Sequence, residues 1–384
     1  MLAQKVSRSA LFSCRAFAKP PKFTPSARRL LATVSDPEFA PENYPPFPEE
    51  IPTAPIEKIS LRKLLNRDQK EADRLFEASK TYGFFYLNCR DSEEGEELEH
   101  GAINSARLAE EFFKLGKEEK DRYAMKNNKN TIFGYKEAGG SKTDSKGTKD
   151  TAEFMNIAKD SIVNNATWPL PKKIKEDNDV LSPFVTTAHS IGLDILKMIG
   201  TQLQLPPSAM ESRHRITDSS GDQVRMTRSP PLSSTAAMEA QIATPSHTDF
   251  GSITILFNWL GGLQIWEPEN PDGNKFWSAS RHDDKGKWNY VKPIPGHAIC
   301  NLGDGMTKFS NGILNSGKHR VVPAPGAQGD YVRYSIVYFV RPTDETPLKV
   351  LDSPAIPKFE GEEEVLLAKE HIANRARGLG INLN

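Results

Sequence analysis

The chain has 384 residues, three cysteines, and 50 basic against 50 acidic side chains. That length fits one large domain or two small ones. Balanced charge points away from nucleic acid and acidic membrane surfaces, and no apolar run approaches the roughly 20 residues of a membrane helix.

Residues 1–35 contain seven basic residues, from Lys5 to Arg29, and no Asp or Glu. They are Ser- and Ala-rich and lack the apolar core of a secretory signal. That composition predicts a disordered mitochondrial transit peptide; without import the chain is expected to be cytoplasmic. Cys14, Cys89 and Cys300 are too few and scattered for a disulfide framework or a Cys-rich zinc site, and suit a reducing interior. Residues 36–55 carry seven prolines and are expected to run extended over a surface.

A folded unit is expected from Ile56. Asn66 and Gln69 read as a capping box for a helix whose apolar face is Ala72, Leu75, Phe76 and Ala78, ended by Gly83. Phe84-Phe85-Tyr86-Leu87 reads as a buried strand. A second helix is expected over about 103–123, with Leu108, Phe112 and Leu115 on one face. Residues 128–150 read as a long loop. Phe184, Ala188, Ile191, Ile195 and Ile199 predict a third helix, stopped by Pro206-Pro207. From about 222 short strand-like runs alternate with turns: 223–227, 247–257, 263–266, 288–293, 297–302, 319–322 and 331–340. Such a series predicts a sandwich, jelly roll or barrel. A last amphipathic helix, about 361–377, is expected to pack outside.

The stretch Pro245-Ser246-His247-Thr248-Asp249-Phe250-Gly251 reads as the start of a strand. Residues two apart on a strand share a face, so His247 and Asp249 would project together. His-x-Asp alone is an ordinary pattern, often just a surface polar pair. His319, in the run Lys318-His319-Arg320-Val321-Val322, offers a third ligand, although only a closed β architecture could bring it alongside. In 331–340, Arg333, Ser335, Val337 and Phe339 share one face, and the apolar alternate set reads as core. With 323–330 as a turn, 319–322 and 331–340 would form a hairpin placing Arg333 near His319. An Arg beside a hydroxyl makes a carboxylate clamp. Two His and one carboxylate leave half of an octahedral metal open, the facial triad of non-heme Fe(II) oxygenases. The open positions could take a 2-oxo acid and then O2. Structural zinc prefers four closed ligands, usually with Cys, and no cysteine is near.

Further pieces follow in order: Tyr82-Gly83-Phe84-Phe85-Tyr86-Leu87, Phe112-Phe113-Lys114-Leu115, Gly261-Gly262-Leu263-Gln264, Asn301-Leu302-Gly303-Asp304, Ser310-Asn311-Gly312 and Arg333-Tyr334-Ser335. With His247-Thr248-Asp249 and His319 they make the chain resemble a 2-oxoglutarate/Fe(II)-dependent dioxygenase of the isopenicillin-N-synthase-like superfamily, over about 55–345. The resemblance implies a mainly β fold: a double-stranded β-helix (jelly roll, cupin-like) at 222–345, an N-terminal α/β cap at 56–221, and a helix and tail at 346–384. It implies iron on His247, Asp249 and His319, and 2-oxoglutarate on Arg333 and Ser335. The implied reaction consumes O2 and 2-oxoglutarate, oxidises a C–H bond of a small organic substrate, and yields succinate and CO2. Specialised metabolism and a monomer are expected, without nucleic-acid or membrane partners. Two alternatives stay open: an iron/O2 oxidase without 2-oxoglutarate, and a non-catalytic jelly-roll protein that binds a metal or metabolite.

The sequence departs from the family pattern at two places. Thr227-Arg228-Ser229-Pro230 replaces an Asn-Tyr-Tyr-Pro run whose first Tyr often touches the cosubstrate, so Arg228 is expected to replace part of that contact or to face a substrate anion. The segment 267–287 is longer than the usual hairpin and reads as a surface insertion. Cys300 is expected in the core, His297 in a turn, and Trp259, Trp266 and Phe309 in packing roles.

Overall fold

The computed structural model describes residues 38–127, 131–143, 147–164, 166, 170–232, 242–269 and 285–378. The expected transit peptide and most of the expected insertion at 267–287 lie outside the described residues.

Among the described residues, twelve strands form the two main sheets. In chain order they are β1 (Glu57–Ser60), β2 (Phe84–Asn88), β3 (Gly134–Lys136), β4 (Glu153–Ala158), β5 (Gln223–Ser229), β6 (Thr244–His247), β7 (Ile253–Asn258), β8 (Leu263–Pro268), β9 (Gly286–Tyr290), β10 (His297–Leu302), β11 (His319–Val321) and β12 (Arg333–Val340). The major sheet runs β1-β2-β10-β7-β12-β5-β4-β3 and the minor sheet β6-β11-β8-β9. This is the jelly-roll core with flanking helices that the sequence predicts. Segments 56–221 and 222–345, expected as cap and core, share the major sheet within a single unit, Glu38–Asn384.

Helices cover the outer face of the major sheet. The first, α1 (Gln69–Thr81), is capped by Asp68, whose carboxylate accepts from the Glu71 amide at 2.9 Å. Asp68 takes the role expected of Asn66, because it immediately precedes the first helical turn. Gly83 follows with φ +66, and a Cβ there would strike the Asn315 carbonyl oxygen at 2.1 Å, so only glycine closes this turn. The second, α2 (Glu93–Phe113), begins ten residues before the expected 103. Its opening turns are polar and carry no apolar stripe, yet Ser92 caps the Gly95 amide and Glu93, Glu94 and Glu96 complement the helix dipole. The third, α3 (Asn178–Gln202), buries Phe184, Ala188, Ile191, Ile195 and Ile199. These helices and the outer faces of β5, β7 and β12 enclose the main core, where Tyr334, Ile336 and Tyr338 of β12 sit.

A smaller core lies between the sheets, with Phe84, Tyr86, Leu263, Ile265 and Ile299. Cys300 is buried, as expected. Trp259 packs edge-on to Phe39 at 4.6 Å and Trp266 to Trp288 at 5.1 Å, and Phe309 is buried in the main core, all packing roles. The Pro-rich segment anchors itself by burying Phe39 and Phe47.

Further expectations change. The helix expected over about 103–123 ends at Phe113 and a separate short helix covers Lys117–Asp121, while the expected loop 128–150 contributes β3, paired with β4. The run 247–257 is two strands interrupted at 248–252. The segments 319–322 and 331–340 are not a hairpin, because the intervening chain crosses from the minor sheet to the major one through a short helix, Gly326–Asp330. The last helix, α4 (Ala368–Gly378), starts later than expected. It buries Ala368, His371, Ile372 and Ala376, and its Arg375 donates to Thr248 Oγ1 at 2.7 Å.

Candidate active site

The sheets meet at their inner faces beside His247. β6 and β11 are antiparallel neighbours with His319 directly opposite His247, so strand register brings two histidines 72 positions apart in sequence within ring contact, 4.3 Å between centroids. Asp249 does not share the strand with His247. It opens the turn after β6, pinned by three backbone bonds: Asp304 N–H to Asp249 O (2.8 Å), Gly305 N–H to Gly251 O (2.9 Å) and Ser252 N–H to Val340 O (2.9 Å). Gly251 permits this, since a Cβ would meet Arg341 Cγ at 2.5 Å. Asp249 therefore approaches by a rigid turn rather than by strand periodicity.

Each member presents one free donor atom. His247 Nδ1 is taken by the Pro245 carbonyl at 2.8 Å and His319 Nδ1 by the Gly317 carbonyl at 3.0 Å. A ring nitrogen that donates to a carbonyl leaves Nε2 as the lone-pair nitrogen, the usual support for a metal-binding imidazole. Asp249 Oδ2 accepts from Thr254 Oγ1 and Asn301 Nδ2, both at 2.6 Å, leaving Oδ1. Oδ1 stands 3.8 Å from His247 Nε2 and 3.9 Å from His319 Nε2, and the donor atoms of the set lie within 4.8 Å of one another. One ion with bonds of about 2 Å spans such separations. This is the only group of three or more metal-binding side chains so placed among the described residues.

Protonation favours a cation. Burial, then the neighbouring His319, pushes the His247 imidazole down to about 4. Burial alone would raise Asp249, but His319, His247 and the Asn301 and Thr254 hydrogen bonds outweigh it and hold the carboxyl at about 2. A neutral imidazole and an ionised carboxylate are the forms that ligate a metal.

Arg333 and Ser335 open β12 on its inner face, both buried. Arg333 lies alongside the Gly261–Gly262 turn, and its Nε donates to the Gly261 carbonyl at 2.8 Å. No carboxylate pairs with it among the described residues, and burial alone lowers it to about 10. The expected hairpin is absent, but Arg333 reaches the turn that links β7 of the major sheet to β8 of the minor one.

Arg228 goes the other way. Its guanidinium meets Glu38 at 3.0 Å and Glu153 at 3.3 Å on the helix side of β5. It can neither replace the missing Tyr contact nor face a substrate anion from there. Strand parity gives the reason: Arg225, Thr227 and Ser229 take one face of β5, and Val224, Met226 and Arg228 the other.

A cavity of about 610 Å³ opens beside His247 and Asp249, lined by Phe154, Arg225, Thr227, Phe250, Phe339 and Arg341 among others. The sequence reading missed Arg225 and Arg341. Period-2 alternation through 223–229, with apolar Val224 and Met226 on one side, carried the signal for Arg225. Arg341 lies just past β12 but continues the alternation of Arg333, Ser335, Val337 and Phe339 by one step, and that parity carried its signal.

Comparison with known proteins agrees with this arrangement. Residues 51–178 match a family model described as non-haem dioxygenase in morphine synthesis N-terminal, and residues 221–342 match the 2OG-Fe(II) oxygenase superfamily. A 2-oxoglutarate-dependent dioxygenase of Aspergillus fumigatus is 32% identical over 340 residues, covering 87% of this chain and 86% of that protein. One from Dothideomycetidae sp. is 26% identical over 318 residues, covering 82% and 91%. Among solved structures, a full-length Neurospora crassa protein in complex with alpha-KG superposes with a TM-score of 0.66 at 23% identity, covering 84% of this chain and 96% of that one. A Caulobacter crescentus 2OG-Fe(II) oxygenase family protein gives 0.66 at 23%, covering 85% and 99%.

Proposed function

The chain belongs to the 2-oxoglutarate/Fe(II) oxygenase superfamily, and from that premise we propose which residues carry its reaction. The protein is a 2-oxoglutarate-dependent dioxygenase that oxidises a small organic molecule and releases succinate and CO2. We assign the iron to His247, Asp249 and His319, and the far carboxylate of 2-oxoglutarate to Arg333 with Ser335. Bound there, Fe(II) would supply the redox chemistry by which 2-oxoglutarate and O2 react.

The chain's own groups do the positioning. The carbonyls of Pro245 and Gly317 fix the two imidazoles in the ligating tautomer. Thr254 and Asn301 hold Asp249 by one oxygen and leave the other for the metal. Arg333, buried without an acidic partner among the described residues, supports the cosubstrate assignment most directly. A buried guanidinium left unpaired costs several kcal/mol, and a dicarboxylate supplies the counter-charge. An oxidase working without 2-oxoglutarate would need a substrate carboxylate to compensate that charge. Anaerobic addition of Fe(II) and 2-oxoglutarate should produce a weak visible charge-transfer band. Absence of the band, together with unaltered cosubstrate affinity in Arg333→Gln, sinks the assignment.

We further propose that the protein acts as a monomer, testable by light scattering. The acid-free, Arg-rich composition of 1–35 supports mitochondrial import, which sequencing of the mature N-terminus tests.

A further inference from the structure

We propose that the cavity beside the triad binds a substrate carrying a carboxylate, gripped by Arg225 and Arg341, with its apolar body against Phe154, Phe250 and Phe339. This rests on the oxygenase reading above and narrows its substrate class to organic acids.

The two arginines form one centre. Their guanidinium groups stand 5.2 Å (Arg225) and 5.0 Å (Arg341) from the centroid of the same Phe339 ring. Arg225 also lies over Phe154 at 4.2 Å, and Arg341 over Phe250 at 6.0 Å. Neither has a carboxylate partner in ion-pair contact among the described residues. Arg225 Nε donates to Asn156 Oδ1 at 2.8 Å. Arg341 Nη1 donates to the Gly221 carbonyl, while its Nε is buried without a partner. The nearby Asp222 accepts from the Arg341 backbone amide at 2.6 Å and pairs with His189 at 3.2 Å, so it does not grip the guanidinium.

Nearby carboxylates act on the pair only from beyond ion-pair distance, Asp249 on both arginines and Asp222 and Asp344 on Arg341. The cavity lining holds two carboxylates: Asp150, already bound by Lys136, and Asp249 of the triad. Lys142, exposed on the lining, adds another cation. Burial first, and then the neighbouring Arg341, lowers Arg225 to about 10, while burial lowers Arg341 to about 10. Two like charges held together this way are costly unless an anion joins them. Guanidinium forks match a carboxylate in two-pronged fashion, and the aromatic walls suit an apolar body.

This anion is separate from the cosubstrate. Arg333 and Phe339 are six positions apart on β12, which at about 3.3 Å per residue is roughly 20 Å. One carboxylate cannot satisfy both ends.

The test uses the full chain loaded with Ni(II) and 2-oxoglutarate, in which turnover is blocked. A panel of aromatic and aliphatic carboxylic acids, such as 3-phenylpropanoate, is titrated beside the matching primary amides. At least one acid should bind more than about tenfold tighter than its amide, because the neutral amide cannot make ion-paired hydrogen bonds to the two guanidinium groups. Arg225→Gln should bring that acid down to the affinity of its amide while leaving 2-oxoglutarate affinity unchanged. Arg341→Lys should weaken the acid less, because it keeps the charge and loses the fork. No acid preferred over its amide, or an acid indifferent to Arg225→Gln, overturns the proposal. Should the unmodified protein fail to bind 2-oxoglutarate, the oxygenase assignment itself falls, an outcome distinct from loss of the acid preference alone.

Discussion

On the helix side of the major sheet, Arg228 is closed in by Glu38 and Glu153, and the Tyr334 hydroxyl donates to the same Glu38 at 2.7 Å. On the inner side, Arg225, Arg333 and Arg341 meet carbonyl or amide oxygens and no paired carboxylate among the described residues. Arg333 and Arg341 are buried, while Arg225 and Arg228 are half-buried. The helix-side arginine is a finished structural contact, with charge and hydrogen bonds satisfied within the chain. The inner ones have no carboxylate in ion-pair contact among the described residues, an arrangement that a bound anion would complete. On the assignment proposed above, the difference separates the part of the sheet that holds the fold from the part that would hold ligands.

The comparison breaks hardest at the triad. His319→Ala should weaken Fe(II) binding by at least about 100-fold, more than loss of a supporting hydrogen bond costs, and abolish succinate release. Metal titration followed by turnover checks this, and retained affinity would remove the inner side as a metal centre. Next comes Arg333→Gln, expected to raise the KM for 2-oxoglutarate by about 10- to 100-fold, equivalent to roughly 1.4–2.8 kcal/mol. The same variant should melt no earlier than the parent, because it deletes a charge that has no acidic partner among the described residues. A lower Tm with unchanged KM would make Arg333 a structural residue like Arg228.

The helix-side contact should give the opposite pattern. Glu38→Ala should destabilise the protein by about 1–2 kcal/mol in urea unfolding, with the 2-oxoglutarate KM unchanged. The smallest effect is on pH dependence. Burial alone would raise Glu38, but the Arg228 and Tyr334 hydrogen bonds hold it below its ordinary value of 4.5. A carboxyl depressed in the folded state stabilises above its unfolded pKa and loses that contribution as pH falls through the folded one. The parent should therefore lose stability faster than Glu38→Gln as pH drops below about 4.5. Parallel curves would mean that the contact contributes little.

The sequence by itself determined the jelly-roll class, the chemical identity of the triad and the parity of β12. Strand alternation is local: Tyr334, Ile336 and Tyr338 had to be core, which turned Arg333 and Ser335 inward. The third helix was legible for the same reason, while α2 started ten residues early because its first turns carry no apolar stripe. Tertiary structure decided which groups meet. His319 lies opposite His247 through the register of β6 and β11, and Asp249 arrives from a turn held by Asp304, Gly305 and Val340. Arg225 and Arg341 share Phe339 because β5 pairs with β12 in one particular register. Periodicity fixes the face a side chain takes, but its partner across the gap depends on contacts between residues distant in sequence, which no local pattern encodes.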